Sequence, residues 1–301
     1  MSLFVGKMPY RPGIIDVGSE RRGLKGTLKS AVRHLLQERP VKEFMKFRSR
    51  FEGKRGLEVG GPSGIFAETA ILPVYRMAES IDNCNFSSRT VWQGAVVEGE
   101  TYMFSPKKKP GHQYICEGSA MHPIPDGVYD FVLSSHTLEH TANPLRALDE
   151  WKRVLIDGGV ILICLPDKSM TFDHDRPVTK LEHLISDHRA GVGEDDMTHL
   201  PEILALHDLS MDPEAGTPEQ FAVRSSKNFE NRCLHHHVFE MTLAMQMIDS
   251  AGFKILMVAN RRPFHLILLC EKSSQSPDEI HHENEAIMAL VSRGRHSSFV
   301  M

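Results

Sequence analysis

The feature that most constrains the fold is an alternation of short apolar runs with helical patterns between residues 56 and 270. The apolar runs are Gly56–Val59, Ala78–Asp82, Tyr114–Glu117, Tyr129–Ser134, Val160–Leu165, Phe253–Ala259 and Phe264–Cys270. Between the fourth and fifth runs, Leu145, Leu148 and Trp151 recur at helical spacing over residues 144–155. Such an alternation predicts an α/β fold, with a mostly parallel sheet and helices on both faces.

The same pattern divides the chain into regions. Residues 1–50 have a Pro/Gly-bearing lead and then helical spacing, which predicts an N-terminal helical extension, and residues 51–272 form the main domain. Within that domain, residues 167–232 are polar and too numerous for a simple connection, so we predict an inserted lid there. Residues 273–301 read as a polar C-terminal tail with a frayed end.

Composition excludes several classes of protein. The chain has 35 Lys plus Arg against 39 Asp plus Glu, a net charge of −4, so nucleic acid is not an expected partner. No apolar run approaches the roughly 20 residues needed to cross a membrane, and the first residues lack a secretory signal, which predicts a cytoplasmic protein. The five cysteines are scattered and indicate neither disulfides nor a thiolate zinc site. The 17 histidines are unusually many and require a chemical explanation.

A glycine-rich turn, residues 60–64, follows the first apolar run, where open α/β sheets bind ligands. A dinucleotide site requires GxGxxG, but Pro62 and Ile65 stand at two of the positions where the phosphate-binding pattern needs glycine. Because proline removes an N–H donor and isoleucine adds bulk, a nicotinamide-dependent oxidoreductase is the weaker of two alternatives. A cofactor without a phosphate needs only a glycine against which it can lie.

Over about residues 56–165, the chain resembles the class I S-adenosylmethionine-dependent methyltransferases of the type 11 group. The first family motif, E/DxGxGxG, corresponds to Glu58, Gly60 and Gly64, with Pro62 as a departure. Residues 128–136 resemble the fourth-strand motif, and residues 154–159 resemble the loop before the fifth strand. The resemblance implies a Rossmann-like seven-stranded sheet with N-terminal helices and an inserted lid, and S-adenosyl-L-methionine as cofactor.

The resemblance also implies a set of cofactor-binding residues. Asp82 is the expected ribose ligand at the end of the second strand, with Glu79 as an alternative, and Ser135 adjoins the acceptor pocket at the end of the fourth. The glycine turn would hold the methionine portion, and the loop after the third strand would border adenine. The residues for these two roles are Glu58, Gly60, Gly61 and Gly64 for the turn, and Ser119 and Ala120 for the loop.

His136, Glu139 and His140 share one side of a helical turn where the acceptor should lie, and we predict that they are catalytic. His136 or His140 would be a general base, because histidine titrates near neutral pH. Alternatively, these three residues and His174 would bind a divalent metal, as in the ExxEH site of small-RNA 2′-O-methyltransferases, or they only shape the pocket. The nitrogen-rich set would favour zinc or iron over magnesium.

The predicted activity is therefore methyl transfer, with O-methylation of a small-molecule or glycan hydroxyl as the expected chemistry. A catalytically silent adenosyl-binding or metal-binding module is a further alternative. His235 and His237 would share a face if residues 235–237 formed a strand, which makes them a second choice of ligand or base. The sequence specifies no oligomeric state.

Overall fold

A computed structural model of the protein describes residues 39–292 and the backbone of residues 298–300. Most of the predicted N-terminal extension, residues 1–38, lies outside the described residues. The described part begins with a short helix, α1 (Lys42–Met45). Its Phe44 ring lies 5.2 Å from that of Phe51, which lies 5.2 Å from that of Phe131 in the sheet. An aromatic row therefore fixes this segment to the main domain.

The strands follow the predicted alternation, with shifted ends. They are β1 (Arg55–Val59), β2 (Ser80–Asn85), β3 (Arg89–Thr90), β4 (Gly94–Ala95), β5 (Gly99–Tyr102), β6 (Gly111–Ile115), β7 (Tyr129–Ser135), β8 (Leu155–Pro166), β9 (Lys254–Arg261), β10 (His265–Glu271) and β11 (Ser298–Val300). β3 and β4 form a separate two-stranded sheet.

The other nine strands form one sheet in the order β11-β9-β10-β8-β7-β1-β2-β6-β5. β6, β2, β1, β7 and β8 are parallel, whereas β10 and β9 form the predicted antiparallel hairpin. The prediction of a Rossmann-like α/β sheet is confirmed, although the residues that the structure describes form nine strands in this sheet rather than seven. The two additional strands, β5 and β11, pair antiparallel at opposite edges.

Helices cover the sheet and fill the insertion. After α1 they are α2 (Val74–Met77), α3 (Pro144–Val154), α4 (Leu181–Ala190), α5 (Leu200–Leu206), α6 (Pro218–Ser225), α7 (Asn228–Asn231), α8 (Met241–Ser250) and α9 (Pro277–Ser292). None of the helices within residues 39–292 combines the length and the apolar character that a membrane crossing needs.

Helix α3 shows how local sequence sets an element. The Asn143 side chain accepts a hydrogen bond from the Arg146 N–H at 3.0 Å, and Pro144 occupies the first helical turn. The helix ends at Val154, one residue before the predicted end, because Leu155 already begins β8. The glycine pair at 158–159, in the segment that resembles the loop before the fifth strand, lies inside β8.

The sheet has a core on each face because its side chains alternate. In β7, Val132 packs with Leu148 and Trp151 of α3, while Phe131 and Leu133 belong to the opposite cluster. The second core leaves no room at β1, where a Cβ on Gly56 would lie 1.9 Å from the Phe131 ring. Both faces are thus closely packed, and polar groups collect at the carboxyl ends of the strands.

The polar segment between β8 and α8 is largely helical, with α4 to α7 and a small hydrophobic core of its own. That core contains Ile203, Ala215, Phe221 and Leu234. The predicted polar C-terminal tail contains a helix, since residues 277–292 form α9. Ile280 and Ile287 are buried there, and the Asn284 side chain donates to the Phe253 carbonyl at 2.9 Å. The helix was not predicted because the segment is mostly polar and only a narrow face of α9 is buried.

Candidate active site

A cavity of about 930 Å³, including its open mouth, lies at the carboxyl ends of the central parallel strands. Strand ends and following loops line one side, and the insertion lines the other. The lining residues used below are Gly60, Asn85, Phe86, Trp92, Glu117, Gly118, Ser119, His136, Glu139, His140, Thr171, Phe172, Glu194, Arg232 and His235. A sheet edge of this type is where open α/β folds bind ligands.

The glycine turn reaches the cavity at a single residue. Gly60 has a φ of +77° and lines the cavity, and its N–H donates to the Cys84 carbonyl at 2.8 Å. Gly61 lies behind it, where a Cβ would be 2.3 Å from Cδ of Glu58. Gly64 begins a short 3₁₀ turn and is not a lining residue. Neither Pro62 nor Ile65 lines or blocks the cavity.

Glu58 supports this turn from behind. Its fully buried carboxylate accepts hydrogen bonds from the Tyr75 hydroxyl at 2.7 Å, the Tyr102 hydroxyl at 2.5 Å and the Ser63 N–H at 2.9 Å. Burial, followed by the negative charge of Glu58, raises the pKa of both tyrosines well above its usual value. The structure therefore places Glu58 in the support of the turn, outside the cavity lining.

The predicted ribose ligand, Asp82, also lies outside the cavity lining. Its carboxylate accepts hydrogen bonds from Arg55 at 2.8 Å, the Tyr129 hydroxyl at 2.8 Å and the His112 N–H at 2.8 Å. The second strand does not end at Asp82, as predicted, but continues to Asn85. Glu79 precedes that strand and is not a lining residue either.

Asn85 occupies the strand end that faces the cavity. Its Nδ2 donates to Gln93 Oε1 at 2.9 Å, while its buried Oδ1 has no hydrogen-bond partner among the described residues. Buried polar atoms are normally satisfied, so an orphaned acceptor in a cavity wall indicates a bound donor. Sequence reasoning missed Asn85 because the second strand was predicted to end at Asp82, three residues too early.

The loop after β6 contributes the next part of the wall. Glu117, Gly118 and Ser119 line the cavity, whereas Ala120 does not. The Trp151 indole donates to the Gly118 carbonyl at 3.0 Å, which fixes this loop on α3. At the end of β7, Ser135 is fully buried and lies behind the lining.

The predicted catalytic residues do meet in the cavity. Glu139 and His140 each offer an atom within 4.8 Å of one another and of an atom of His235. The Nδ1 atom of His136 lies 3.4 Å from Oε1 of Glu139, and its Nε2 atom lies 3.0 Å from Nδ1 of His265. A φ of +51° at His136 turns the chain sharply after β7 and brings these groups together.

Glu139 is the electrostatic centre of this group. It is fully buried, and neither carboxylate oxygen has a well-formed hydrogen bond with the described residues. Burial raises the pKa of Glu139, but His136, His140 and His235 together lower it to about 2. A buried, ionised carboxylate surrounded by imidazoles can bind a cation or stabilise one that forms beside it.

The two histidines beside Glu139 are held at their outer nitrogens. The Nδ1–H group of His140 donates to the Leu234 carbonyl at 2.9 Å. The Nδ1 atom of His235 lies 2.5 Å from Oδ2 of Asp173, whose other oxygen accepts from Arg176 at 2.9 Å. Burial lowers the pKa of His235, but the Asp173 carboxylate outweighs it and raises the pKa overall.

His174, predicted as a metal ligand, is not part of this group. Its Nε2 atom lies 3.5 Å from Asp175 and 3.7 Å from Asp208, and it does not line the cavity. His235 takes the place that was predicted for His174. Residues 235–237 do not form a strand, and His235 and His237 face different surroundings. The run of three histidines was the available signal, and only the fold shows which of them enters the cavity.

Arg232, which the sequence did not single out, connects the two sides of the cavity. Its guanidinium lies 2.5 Å from Glu117 on the sheet side and 2.7 Å from Glu194 on the insertion. It also lies 4.7 Å above the Phe86 ring, a cation–π distance. The insertion is thereby fastened across the cavity.

Residues 83–163 match the family model described as a methyltransferase domain, a segment that runs from β2 into β8. No curated protein matches the chain by sequence. This match shows a methyltransferase domain in the chain, and it agrees with the class I S-adenosylmethionine-dependent methyltransferases that the sequence resembles. The chain is thus an enzyme of the transferase class.

Solved structures similar to this chain include several methyltransferases. An S-adenosylmethionine-dependent methyltransferase from Mesorhizobium loti is 13% identical, with a TM-score of 0.41, over 83% of this chain and 100% of that one. A methyltransferase of the same cofactor class from Methanosarcina mazei is 11% identical, with a TM-score of 0.40, over 79% and 100%. One from Aquifex aeolicus is 13% identical, with a TM-score of 0.36, over 80% and 97%.

Proposed function

We propose that the enzyme transfers the methyl group of S-adenosylmethionine to a hydroxyl of a small-molecule or saccharide acceptor. The observation that carries the proposal is the convergence of Glu139, His140 and His235 in the cavity that Gly60 also lines. A hydroxyl loses its proton as its oxygen takes up the methyl group, and a positioned base contributes about 10²–10⁴-fold to such a step. The cytoplasmic location predicted from the sequence stays a prediction.

The cofactor site we propose runs from the glycine turn to the loop after β6. Gly60 would contact the methionine portion, Asn85 the ribose, and Ser119 the adenine. The orphaned Oδ1 atom of Asn85 supports this fit, because a ribose hydroxyl would supply the missing donor. When bound, the cofactor supplies a methyl group on a sulfonium, which needs no further activation by the protein.

His140 is the base we favour. Since its Nδ1–H donates to the Leu234 carbonyl, the lone pair of the neutral ring is on Nε2. That nitrogen lies 3.9 Å from Oε1 of Glu139, so the imidazolium formed by proton uptake faces a carboxylate. The roles resemble those of a histidine and its orienting acid in other enzymes, with Glu139 stabilising the charge that develops.

The lining supports a polar, ring-shaped acceptor over a lipid. The aromatic rings of Phe86, Trp92 and Phe172 are part of the lining, and Thr171 and Glu194 add a hydroxyl and a carboxylate from the insertion side. Aromatic faces next to carboxylates and hydroxyls suit a saccharide, which has apolar C–H faces and a polar rim. A lipid acceptor would require an apolar slot without these carboxylates.

A second candidate for removing the proton of the acceptor hydroxyl is a divalent metal bound by Glu139, His140 and His235. The observation that favours the metal is that the Nδ1 atoms of both histidines are hydrogen-bonded. Nδ1 of His140 contacts the Leu234 carbonyl, and Nδ1 of His235 contacts the Asp173 carboxylate. Metal-binding histidines are usually held in this way at the nitrogen that does not bind the ion. The chemistry that such an ion supplies is a lowered pKa of a bound hydroxyl.

The test is methyl transfer from methyl-labelled cofactor to separate panels of saccharides, phenols, carboxylic acids and amines. We expect the label on a hydroxyl oxygen, located by nuclear magnetic resonance of the product. His140→Gln and Glu139→Gln should lower kcat by about 10²–10⁴-fold with little change in affinity for S-adenosylhomocysteine. His174→Gln, the matched control outside the cavity, should retain wild-type turnover.

Two results would contradict the proposal. One is label found only on nitrogen, carbon or carboxylate acceptors, and the other is wild-type turnover in His140→Gln. If turnover survives treatment with a chelator, His140 takes up the proton of the acceptor hydroxyl without a metal. Turnover that is lost on chelation and restored by zinc or iron would favour the metal, provided that Glu139→Gln abolishes the restoration.

A further inference from the structure

A second group of potential ligands lies outside the cavity, on the insertion. It comprises one carboxylate and three imidazoles from three separate stretches of chain, and we call it the insertion cluster: His183, Asp187, His199 and His237. One ligand atom from each residue lies within 4.8 Å of those of the others. None of the four lines the cavity, so the proposed methyl transfer leaves the cluster without a role.

The fold brings these residues together from different elements. His183 and Asp187 are one turn apart on α4, on the same face of the helix. His199 immediately precedes α5, at the end of the loop that follows α4. His237 lies in the segment between α7 and α8, where its Nε2 atom is 3.0 Å from the Ala142 carbonyl of the main domain. The cluster therefore lies where the insertion contacts the loop that precedes α3 of the main domain.

The distances within the cluster are those of ligands around one ion. Nε2 of His183 lies 3.1 Å from Nε2 of His199 and 3.2 Å from Oδ2 of Asp187. His237 completes the group, because one of its ring nitrogens lies within 4.8 Å of the ligand atoms of the other three residues. In a tetrahedral zinc site with bonds near 2.0–2.1 Å, neighbouring ligand atoms are about 3.3 Å apart. The imidazole rings of His183 and His199 meet at 84°, and those of His199 and His237 at 77°, so the rings are fanned rather than stacked.

Hydrogen bonds within the cluster do not account for this arrangement. The Nε2 atom of His183 has either one N–H or one lone pair, yet it has two neighbours at hydrogen-bonding distance. His237 is 1% exposed, and its Nδ1 atom has no hydrogen-bond partner among the described residues. If Nε2 of His237 donates to the Ala142 carbonyl, Nδ1 keeps the lone pair, as in metal-binding histidines held by a backbone carbonyl.

We infer that the insertion cluster binds one zinc ion, which fastens the insertion to the methyltransferase sheet. Three imidazoles and one carboxylate complete a four-coordinate zinc site and leave no open position, which is typical of structural zinc. Such a nitrogen-rich donor set excludes magnesium and calcium, which prefer all-oxygen sites. Because His237 is two residues from His235, the ion would also hold the segment that places His235 in the cavity.

The test uses the full chain without a histidine tag, stripped of metal and titrated with zinc in competition with a chromophoric chelator. We expect one tightly bound zinc per chain and a rise in the unfolding temperature on binding. His183→Gln and Asp187→Asn, both conservative and partly exposed, should weaken this binding by at least about 10-fold and abolish the thermal shift. His188→Gln, on the same helix outside the cluster, should bind zinc like the wild type.

A comparison with the cavity group separates this inference from the proposed function. Glu139→Gln should keep the zinc of the insertion cluster, and the cobalt-substituted protein should show the visible absorption of tetrahedral coordination. The inference is overturned if the wild type binds no zinc in this titration. It is also overturned if His183→Gln and Asp187→Asn bind zinc as tightly as the wild type, or if Glu139→Gln alone removes it. Methyl transfer is measured independently, so either result stands without the other.

Discussion

The Asp82 carboxylate accepts a 2.8 Å hydrogen bond from the Tyr129 hydroxyl, and the pairing takes Asp82 away from the cavity. Arg55 completes the arrangement, with its guanidinium 2.8 Å from the same oxygen and 5.0 Å from the Tyr129 ring. The acid at the expected cofactor position thus ties β1, β2 and β7 together at their amino-terminal halves. Asn85, three residues later, faces the cavity instead.

Because Asn85 faces the cavity and Asp82 does not, we expect a substitution at Asn85 to affect cofactor binding and a substitution at Asp82 to affect stability. Asn85→Ala should weaken S-adenosylhomocysteine binding by roughly 2- to 10-fold, the worth of one hydrogen bond, with little loss of stability. Asp82→Asn should leave that affinity close to wild type but lower the free energy of unfolding by about 1–3 kcal/mol, because the buried Tyr129 hydroxyl and the half-exposed Arg55 guanidinium lose a charged acceptor. Calorimetric titration and urea unfolding measure the two effects, and a reversal of the pattern would restore Asp82 as the ribose ligand.

Arg232→Gln should open the connection between the insertion and the sheet. Each charged hydrogen bond, to Glu117 and to Glu194, contributes about 1.5–3 kcal/mol, so loss of one such contribution would weaken cofactor binding by roughly 10- to 100-fold. The measurement is the affinity for S-adenosylhomocysteine, together with the KM of the acceptor. Arg189→Gln, an exposed arginine on α4, is the control and should change neither. Unchanged affinity in Arg232→Gln would show that the connection does not support the cofactor site.

Gly61→Ala should disrupt the glycine turn without contacting the cofactor. The added Cβ would lie 2.3 Å from Glu58 and 2.4 Å from the Tyr102 hydroxyl, both buried and hydrogen-bonded. We expect a loss of about 1–3 kcal/mol of stability, as for overpacked cores, and weaker cofactor binding. In the control, Gly193→Ala, the Cβ would meet only the exposed side chain of Asp195, and thermal unfolding should be nearly unchanged. Wild-type stability in Gly61→Ala would contradict the packing described for the turn.

Asp212 should make the insertion sensitive to acid. Burial raises its pKa, but His207 at 3.2 Å and Arg224 at 2.7 Å lower it below the usual value. A carboxylate whose pKa is depressed by folding stabilises the fold above its unfolded pKa of about 3.9, and the contribution disappears as the pH falls through the lower folded value. Asp212→Asn should therefore cost about 1–3 kcal/mol at pH 7, and the difference from wild type should shrink below about pH 3.9.

Urea unfolding between pH 3 and pH 7 tests this dependence. Asp195→Asn, an exposed carboxylate in the same insertion, should show no such trend. A difference between Asp212→Asn and wild type that is constant over the whole range would remove Asp212 as the source of the acid sensitivity.

The sheet could be predicted from the sequence because the spacing of apolar residues follows the burial of their side chains. Apolar runs predicted the strands of the doubly covered core and the hairpin, and helical spacing predicted helix α3. The sequence did not predict strand residues whose polar side chains are buried and hydrogen-bonded to each other. Asparagine is typical of loops, and Asn83, whose side chain donates to Gln113 at 2.9 Å, was therefore not assigned to β2, so that β2 was predicted to end too early.

The candidate site was only partly predictable for a related reason. Glu139 and His140 are local to one turn, so their spacing identified them. His235, Arg232 and the insertion cluster depend on how residues 167–240 fold back over the sheet, and no local pattern encodes that contact. The helix α9 was missed because its buried face consists of few residues, with Asn284 hydrogen-bonded to the backbone at its centre.

The central claim is that the cavity beside Gly60 binds the nucleoside of S-adenosylmethionine, and calorimetric titration with S-adenosylhomocysteine tests it most directly. The account predicts one binding event per full-length chain, weakened in Asn85→Ala and abolished or strongly weakened in Gly61→Ala. No heat with S-adenosylhomocysteine, combined with stabilisation of the protein by a nicotinamide dinucleotide, would contradict it.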